Sequence, residues 1–299
     1  MKRAGVSTIE LLIVMVIGGI VASTIGAVLR RQLRFFANAA SIVEQRVSLR
    51  DATGILPGEL RALSPVGGDV LAFSDSALEM RATIGTAVAC DTVAGGRAIE
   101  LAPLQVGSAR ALSAYTTSPQ PGDIALVFDA AAPIDSSITG WTTLEIASTA
   151  PRTDVCARSR IIDPAAGTAA RLELRFASGG RLPSSVLPGA FVRVLRRVRY
   201  RFYRASTTQW FLGYAEWDGT AFGAVQPVSG PYAPYAPGAG SGLSFRYFDR
   251  SGAPITSQAD VQRIARIQIS VRGAPGAGLS GGARIVTDSQ TITVRLRNQ

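Results

Sequence analysis

The chain contains no histidine, and apart from Lys2 all of its basic residues are arginine. The first absence removes Ser-His-Asp triads, Cys-His dyads and histidine-bearing zinc sites together. Catalysis would fall to carboxylates or arginine alone, and no recognisable nucleophile or carboxylate pair stands out, so neither enzymatic activity nor a cofactor is expected. Cysteine is scarce: Cys90 and Cys156 are too few for a four-thiolate zinc site, and their separation is unlike the C-x-x-C of redox proteins. In an exported body the favoured reading is a structural disulfide closing a long loop, worth roughly 2–4 kcal/mol; two buried free thiols are the alternative. The glycine run Gly238-Ala239-Gly240-Ser241-Gly242 has no following lysine and no strand-to-helix context, so it is not a phosphate loop.

What the chain does have lies at its front. Met1-Lys2-Arg3-Ala4-Gly5 precedes Val6-Ser7-Thr8-Ile9-Glu10, and an apolar run without charge or proline extends from Leu11 to Leu29. At about 1.5 Å per residue this run crosses most of a hydrocarbon core of roughly 30 Å as a helix. Glu10 stands at its edge, where an ionisable side chain is costly and calls for a partner. Cleavage after the small residue Gly5 would place a new cationic amine on Val6, about one helical turn from Glu10. A secretory signal peptide needs a small-x-small cleavage site, and Ala22/Thr24 and Thr24/Gly26 fit that poorly. A plain signal anchor suits the length but gives no reason for Glu10 or for Gly5 in that register.

The basic leader, Gly5, Glu10 as fifth residue of the cleaved chain and Ile9-Glu10-Leu11-Leu12-Ile13 together resemble the prepilin-like proteins of type IV pili and type II secretion pseudopili. The family usually has Phe-Thr-Leu where this chain has Val6-Ser7-Thr8. The resemblance implies cleavage between Gly5 and Val6 by a membrane prepilin peptidase, N-methylation of Val6, and polymerisation in which Glu10 meets a neighbouring subunit's terminal amine. It further implies an inner-membrane assembly platform and other pilin or pseudopilin subunits as partners. Cationic residues flank the span on both sides, Lys2 and Arg3 before it and Arg30, Arg31 and Arg34 after it. The resemblance places the amino terminus inside and the bulk outside, in the periplasm or beyond.

The remainder suits an exported globular body. With 299 residues, 47% of them hydrophobic, the chain can bury one or two sizeable cores. A net charge of +10 permits polyanionic partners, although genome composition produces the same balance. From Val6 to Thr53 there is no proline, and Gly54 and Pro57 are helix-stop signals, so a leader at 1–5 and one helix over 6–56 are expected. Past Arg31 the pattern turns amphipathic, with Phe36, Ala40, Val43 and Val47 on one stripe, predicting that Phe36, Val43 and Val47 pack on the body. Gly18, Gly19 and Gly26 weaken the helix locally.

Beyond the helix the period becomes two. Leu78 to Ile84, Asp123 to Phe128, Thr142 to Ala147 and Leu172 to Phe176 read as strands, within an irregular insertion expected over 66–170. Val198 to Phe202 and Trp210 to Trp217 form a predicted hairpin, with further strands at Leu243–Tyr247, Ile267–Val271 and Ile292–Leu296. Pro227 to Gly242 is predicted as a surface loop, and Asp249-Arg250-Ser251-Gly252 as a turn lacking enough acids for calcium. The expected fold is thus α+β: a long membrane-spanning helix packed on an antiparallel, β-rich body at 57–299, pilin-like in the sense of the larger minor pilins and minor pseudopilins. Those proteins resemble this chain at Phe245-Arg246-Tyr247-Phe248-Asp249 and Val294-Arg295-Leu296-Arg297-Asn298. Arg197, Arg199 and Arg201, extended by Arg193, Arg196 and Arg204, alternate along one strand, with Tyr203 and Trp210 as stacking surfaces. This row is the candidate contact for nucleic acid, against the plainer reading of a solvated strand face that opposes aggregation.

Overall fold

The structure, a computed structural model, describes residues 8–103, 112–132, 140–153, 156, 171–237, 240–274 and 288–296. A single α-helix, α1, runs Thr8–Leu60. The strands are β1 Val70–Phe73, β2 Ala77–Val93, β3 Ala98–Leu101, β4 Ala114–Tyr115, β5 Ile124–Phe128, β6 Trp141–Arg152 and β7 Arg171–Phe176. They continue as β8 Phe191–Arg204, β9 Trp210–Glu216, β10 Gln226–Tyr232, β11 Leu243–Phe248, β12 Pro254–Ile255, β13 Arg266–Arg272 and β14 Ser289–Arg295. The layout is α+β, with a long apolar helix and antiparallel sheets, as expected.

Two long strands organise the body. Ala77 to Val88 of β2 pair with Phe191 to Arg201 of β8 in one antiparallel ladder. At one end of it β2 also pairs β3, β3 pairs β7, β7 pairs β6, β6 pairs β5, and β5 returns to β8. The ring closes, which leaves these six strands no free edge around it. Its interior is filled by alternate residues, among them Ala87, Ala89, Ile99, Val127, Ile146, Leu174 and Val192. Cys90 faces the other way and bridges to Cys156, with Cα atoms 5.7 Å apart. The 66–170 stretch expected as an irregular insertion therefore supplies most of this ring, as a continuation of the same ladder.

At the other end of the ladder the strands are Leu78 and Met80 on β2 and Val198, Tyr200 and Phe202 on β8, joined by β9 and β10. Their inner faces meet a second sheet, ordered β12-β11-β13-β14, and the last turns of α1 in one core. Between the two cores the inward position of β8 is occupied by Arg196, 3% exposed, whose guanidinium holds Asp123 at 2.9 Å and Glu216 at 2.7 Å. Both hydrogen-bonded carboxylates raise the Arg196 pKa, the Asp123 bond most.

The helix docks differently from its sequence expectation. Phe36, Val43 and Val47 are 67, 61 and 53% exposed, and the packed stripe is Leu49, Ala52, Leu56 and Leu60. That stripe has helical spacing too, but only it faces strands; β10 holds it through Ser48 Oγ donating to the Gly230 carbonyl at 2.7 Å and Tyr232 donating to the Ser48 carbonyl at 2.9 Å. The helix also passes through Pro57 to Leu60, four residues beyond the expected end at 56. An interior proline costs about 3 kcal/mol, and burying Leu56 and Leu60 contributes about 1.5–3 kcal/mol each, which offsets it. Pro227 and Pro231 lie inside β10, within the stretch expected as a loop, because β10 is the border strand of its sheet and a missing N–H breaks no outer ladder there.

Two outcomes test this docking. Leu56→Ala should destabilise the full chain by about 3 kcal/mol in urea unfolding, whereas Val43→Ala should change stability by less than about 0.5 kcal/mol. Glu59 accepts a hydrogen bond from Tyr200 at 2.8 Å, and burial pushes its carboxyl above the ordinary 4.5 while that bond partly opposes the shift. The folded chain thus holds this proton more tightly than the unfolded one, so the contribution is full below pH 4.5 and is lost as pH rises through the folded value. Glu59→Gln keeps the acceptor without the titration. Its thermal midpoint should exceed that of the parent at pH 7 and match it below pH 4.5.

Candidate functional site

Two surfaces carry the sequence-predicted residues. The first is the amino-terminal part of α1. Glu10 lies in its first turn, where a carboxylate is favoured by the unsatisfied N–H groups and the helix dipole. Gly5 and Val6 lie outside the described residues. The apolar segment that follows is long enough to cross a membrane, and none of it is buried inside the molecule. Exposed apolar residues continue past Arg34 through Phe35, Phe36, Ile42, Val43 and Val47. The helix therefore has two unlike parts: a projecting apolar stretch with an acid near its tip, and a short terminal stretch built into the body's core.

The second surface is the arginine row of β8. Arg197 and Arg199 share one buried carboxylate, Glu79 of β2, with Arg197 Nε at 2.6 Å and Arg199 Nη2 at 2.8 Å. Aromatic rings cover them: Arg197 stacks 4.2 Å from the Trp217 ring and Arg199 3.8 Å from the Phe222 ring. Of the three, only Arg201 has no ion pair among the described residues, and its guanidinium lies 5.7 Å from the Tyr203 ring. Arg196 is not on this face at all; it points inward to Asp123 and Glu216. Trp210 is likewise on the other side, packed on Phe202 with centroids 5.2 Å apart. Alternation along β8 was legible in the sequence. The neutralising partner was not, because Glu79 is more than a hundred residues away and becomes adjacent only through the β2–β8 register.

Around the disulfide, Arg171 donates to Glu100 at 2.9 Å and approaches both sulfurs, while Glu173 receives Arg152 and Arg175. This is a structural ion-pair cluster of three arginines and two glutamates on the outer side of the ring. Asp249 behaves as a turn residue. Its Oδ1 accepts from Ser251 Oγ at 2.6 Å and from the Gly252 and Ala253 amides at 2.9 Å, and Arg263 takes Oδ2 at 3.2 Å. These bonds hold its carboxyl below the usual range, the Ser251 bond most, and no group of acids suited to a metal ion occurs among the described residues.

Comparison of the chain with family models, curated proteins and solved structures finds no match. Function must be argued from the two surfaces alone.

The paired state of the arginine row makes a direct expectation. Arg197→Gln with Arg199→Gln should leave the affinity of the detergent-solubilised chain for duplex DNA within about twofold, and its salt slope nearly unchanged, since both guanidinium groups are already tied to Glu79 and covered by the Trp217 and Phe222 rings and so release few counterions. Anisotropy titrations at low and high salt measure both; a flattened slope in the variant would show that the row grips phosphates.

Proposed function

We propose that the protein is a minor pilin or pseudopilin, a structural subunit that is cleaved between Gly5 and Val6, held in the inner membrane by α1 and then drawn into a type IV pilus or a type II secretion pseudopilus. The observation that carries this reading is the unburied apolar helix with Glu10 at its start, joined without a break to the core of a β-rich body. An exposed apolar surface of that length far exceeds the few hundred Å² that a soluble monomer presents, so it needs a cover. Lipid covers it first. Leaving lipid then requires an equally apolar replacement, which neighbouring copies of the same kind of helix provide.

Glu10 makes the replacement specific. In an apolar bundle a carboxylate is stabilised by an opposite charge, and processing creates one on the nitrogen of Val6. The amine of an incoming subunit pairs with Glu10 of its neighbour and sets the axial register between helices. The body that follows α1 lies on the periplasmic or extracellular side, and its size suits a low-stoichiometry subunit that helps initiate assembly. Prepilin peptidase, other pilin subunits and the membrane assembly platform are its partners. Placing polyanion binding on the β8 row as the main role is disfavoured by the Glu79 pairing and the aromatic cover.

Intact-mass and amino-terminal peptide analysis of the membrane-extracted protein, from cells with and without prepilin peptidase, tests this reading. The expected product is a peptidase-dependent chain starting at Val6 with one methyl group. A retained leader would leave a membrane anchor only. In cells that process the protein, Glu10→Leu should abolish recovery in sheared filaments or crosslinked pseudopili while leaving membrane levels unchanged.

A further inference from the structure

A second group of arginines without ion pairs among the described residues lies together on the second sheet. Pairing of β11, β13 and β14 sets its outer face as rows: Phe248, Arg266 and Arg295; Arg246, Gln268 and Thr293; Ser244, Ser270 and Thr291; then Arg272 and Ser289. The alternate positions, such as Phe245, Ile267, Ile269 and Val294, are buried in the core, which fixes the outward direction of this set. No carboxylate belongs to these rows. Arg266 and Arg295 are direct cross-strand partners, an arrangement that like charges disfavour. None of Arg246, Arg266, Arg272 and Arg295 has an ion pair among the described residues, in contrast to Arg197 and Arg199.

Two depressions adjoin at Asp75 and Arg246, one on this face and one at the β11–β12 edge of the sheet. One, of about 270 Å³, is lined by Arg246, Arg272, Ser244, Ser270, Thr291 and Asp75. The other, of about 510 Å³, shares Asp75 and Arg246 and adds the apolar surfaces of Phe73, Phe248 and Pro254. Asp75 comes from the turn between β1 and β2. Its backbone carbonyl accepts from the Phe245 amide at 2.8 Å, and its carboxylate accepts from Tyr235 at 2.9 Å.

We infer that this track binds an acidic polysaccharide, a chain of uronic-acid sugars. The donor set separates this ligand from nucleic acid. Arg246 and Arg272 suit a carboxylate, which guanidinium groups hold in a planar, charge-assisted fork as they do a phosphate, so the distinction falls to the groups beside them. The three hydroxyls and the Asp75 carboxylate suit sugar hydroxyls, which both donate and accept. A phosphodiester backbone of DNA offers acceptors only, and Asp75 repels it. The Phe248 ring supplies flat apolar area for a sugar face in the adjoining depression. The assignment is independent of processing and polymerisation.

The test uses the full chain in detergent with fluorescent oligogalacturonate, neutral dextran as competitor and duplex DNA as comparison. Oligogalacturonate should bind, dextran should fail to compete, and Arg246→Gln with Arg272→Gln should weaken binding at least about tenfold. Asp75→Asn should weaken the uronate and strengthen DNA. Hydrogen exchange on the unsubstituted protein should show uronate-dependent protection at 241–248 and 266–272, a readout that does not depend on how the variants fold. Absent uronate binding, equal competition by dextran, tighter binding of DNA than of uronate, or protection confined to other segments would each overturn the assignment.

Discussion

The antiparallel ladder between β2 and β8 supports both cores. Because side chains alternate along each strand, one ladder presents Val192 and Val194 to the six-stranded ring and Val198, Tyr200 and Phe202 to the core that receives the helix. The register shift in β2 between Thr83 and Gly85 falls where the two cores meet. There Arg196 replaces an apolar side chain, and its ion pairs with Asp123 and Glu216 keep a buried charge satisfied between two apolar clusters. Slipping the ladder by one residue would send Arg196 outward and the row of surface arginines into the core.

The helix inherits its geometry from this arrangement. Its final turns are clasped by β10, β13 and β14, so the direction in which the remaining apolar length projects is set by the body. Ser48, Tyr232 and the Glu59–Tyr200 hydrogen bond pin that direction along nearly the whole docked segment.

Charge is placed by pairing as much as by composition. Arginine is in surplus both along β8 and on the outer face of the second sheet. On β8 Arg197 and Arg199 share Glu79 and are covered by Trp217 and Phe222; on β11, β13 and β14 the arginines stand beside hydroxyls. The sequence reading singled out the first set because its alternation is dense and uninterrupted. The second set is spread over three strands, so no local pattern announces it, and only Arg246 and Arg295 fell within stretches already singled out.

Local physics was enough for the elements with strong periodicity. The apolar run and Glu10, the alternation at Leu78, Leu172, Val198, Leu243 and Ile267, and the turn at Asp249 each follow from neighbours in the chain, and each appears where expected. Short or proline-containing strands such as β1, β3 and β10 lack that local signal and exist because a partner strand is present. The choice between two helical stripes, Phe36-Ala40-Val43-Val47 and Leu49-Ala52-Leu56-Leu60, was likewise tertiary: both have the right spacing, and burial went to the one beside β10. What the sequence determined by itself was a membrane-competent helix with an acid at its edge, joined to a β-rich body. Closure of the six-stranded ring, the exposure of Phe36 and Val43, and the division of arginines into paired and free were decided by tertiary structure, because each depends on residues that only the strand register brings within a few ångströms.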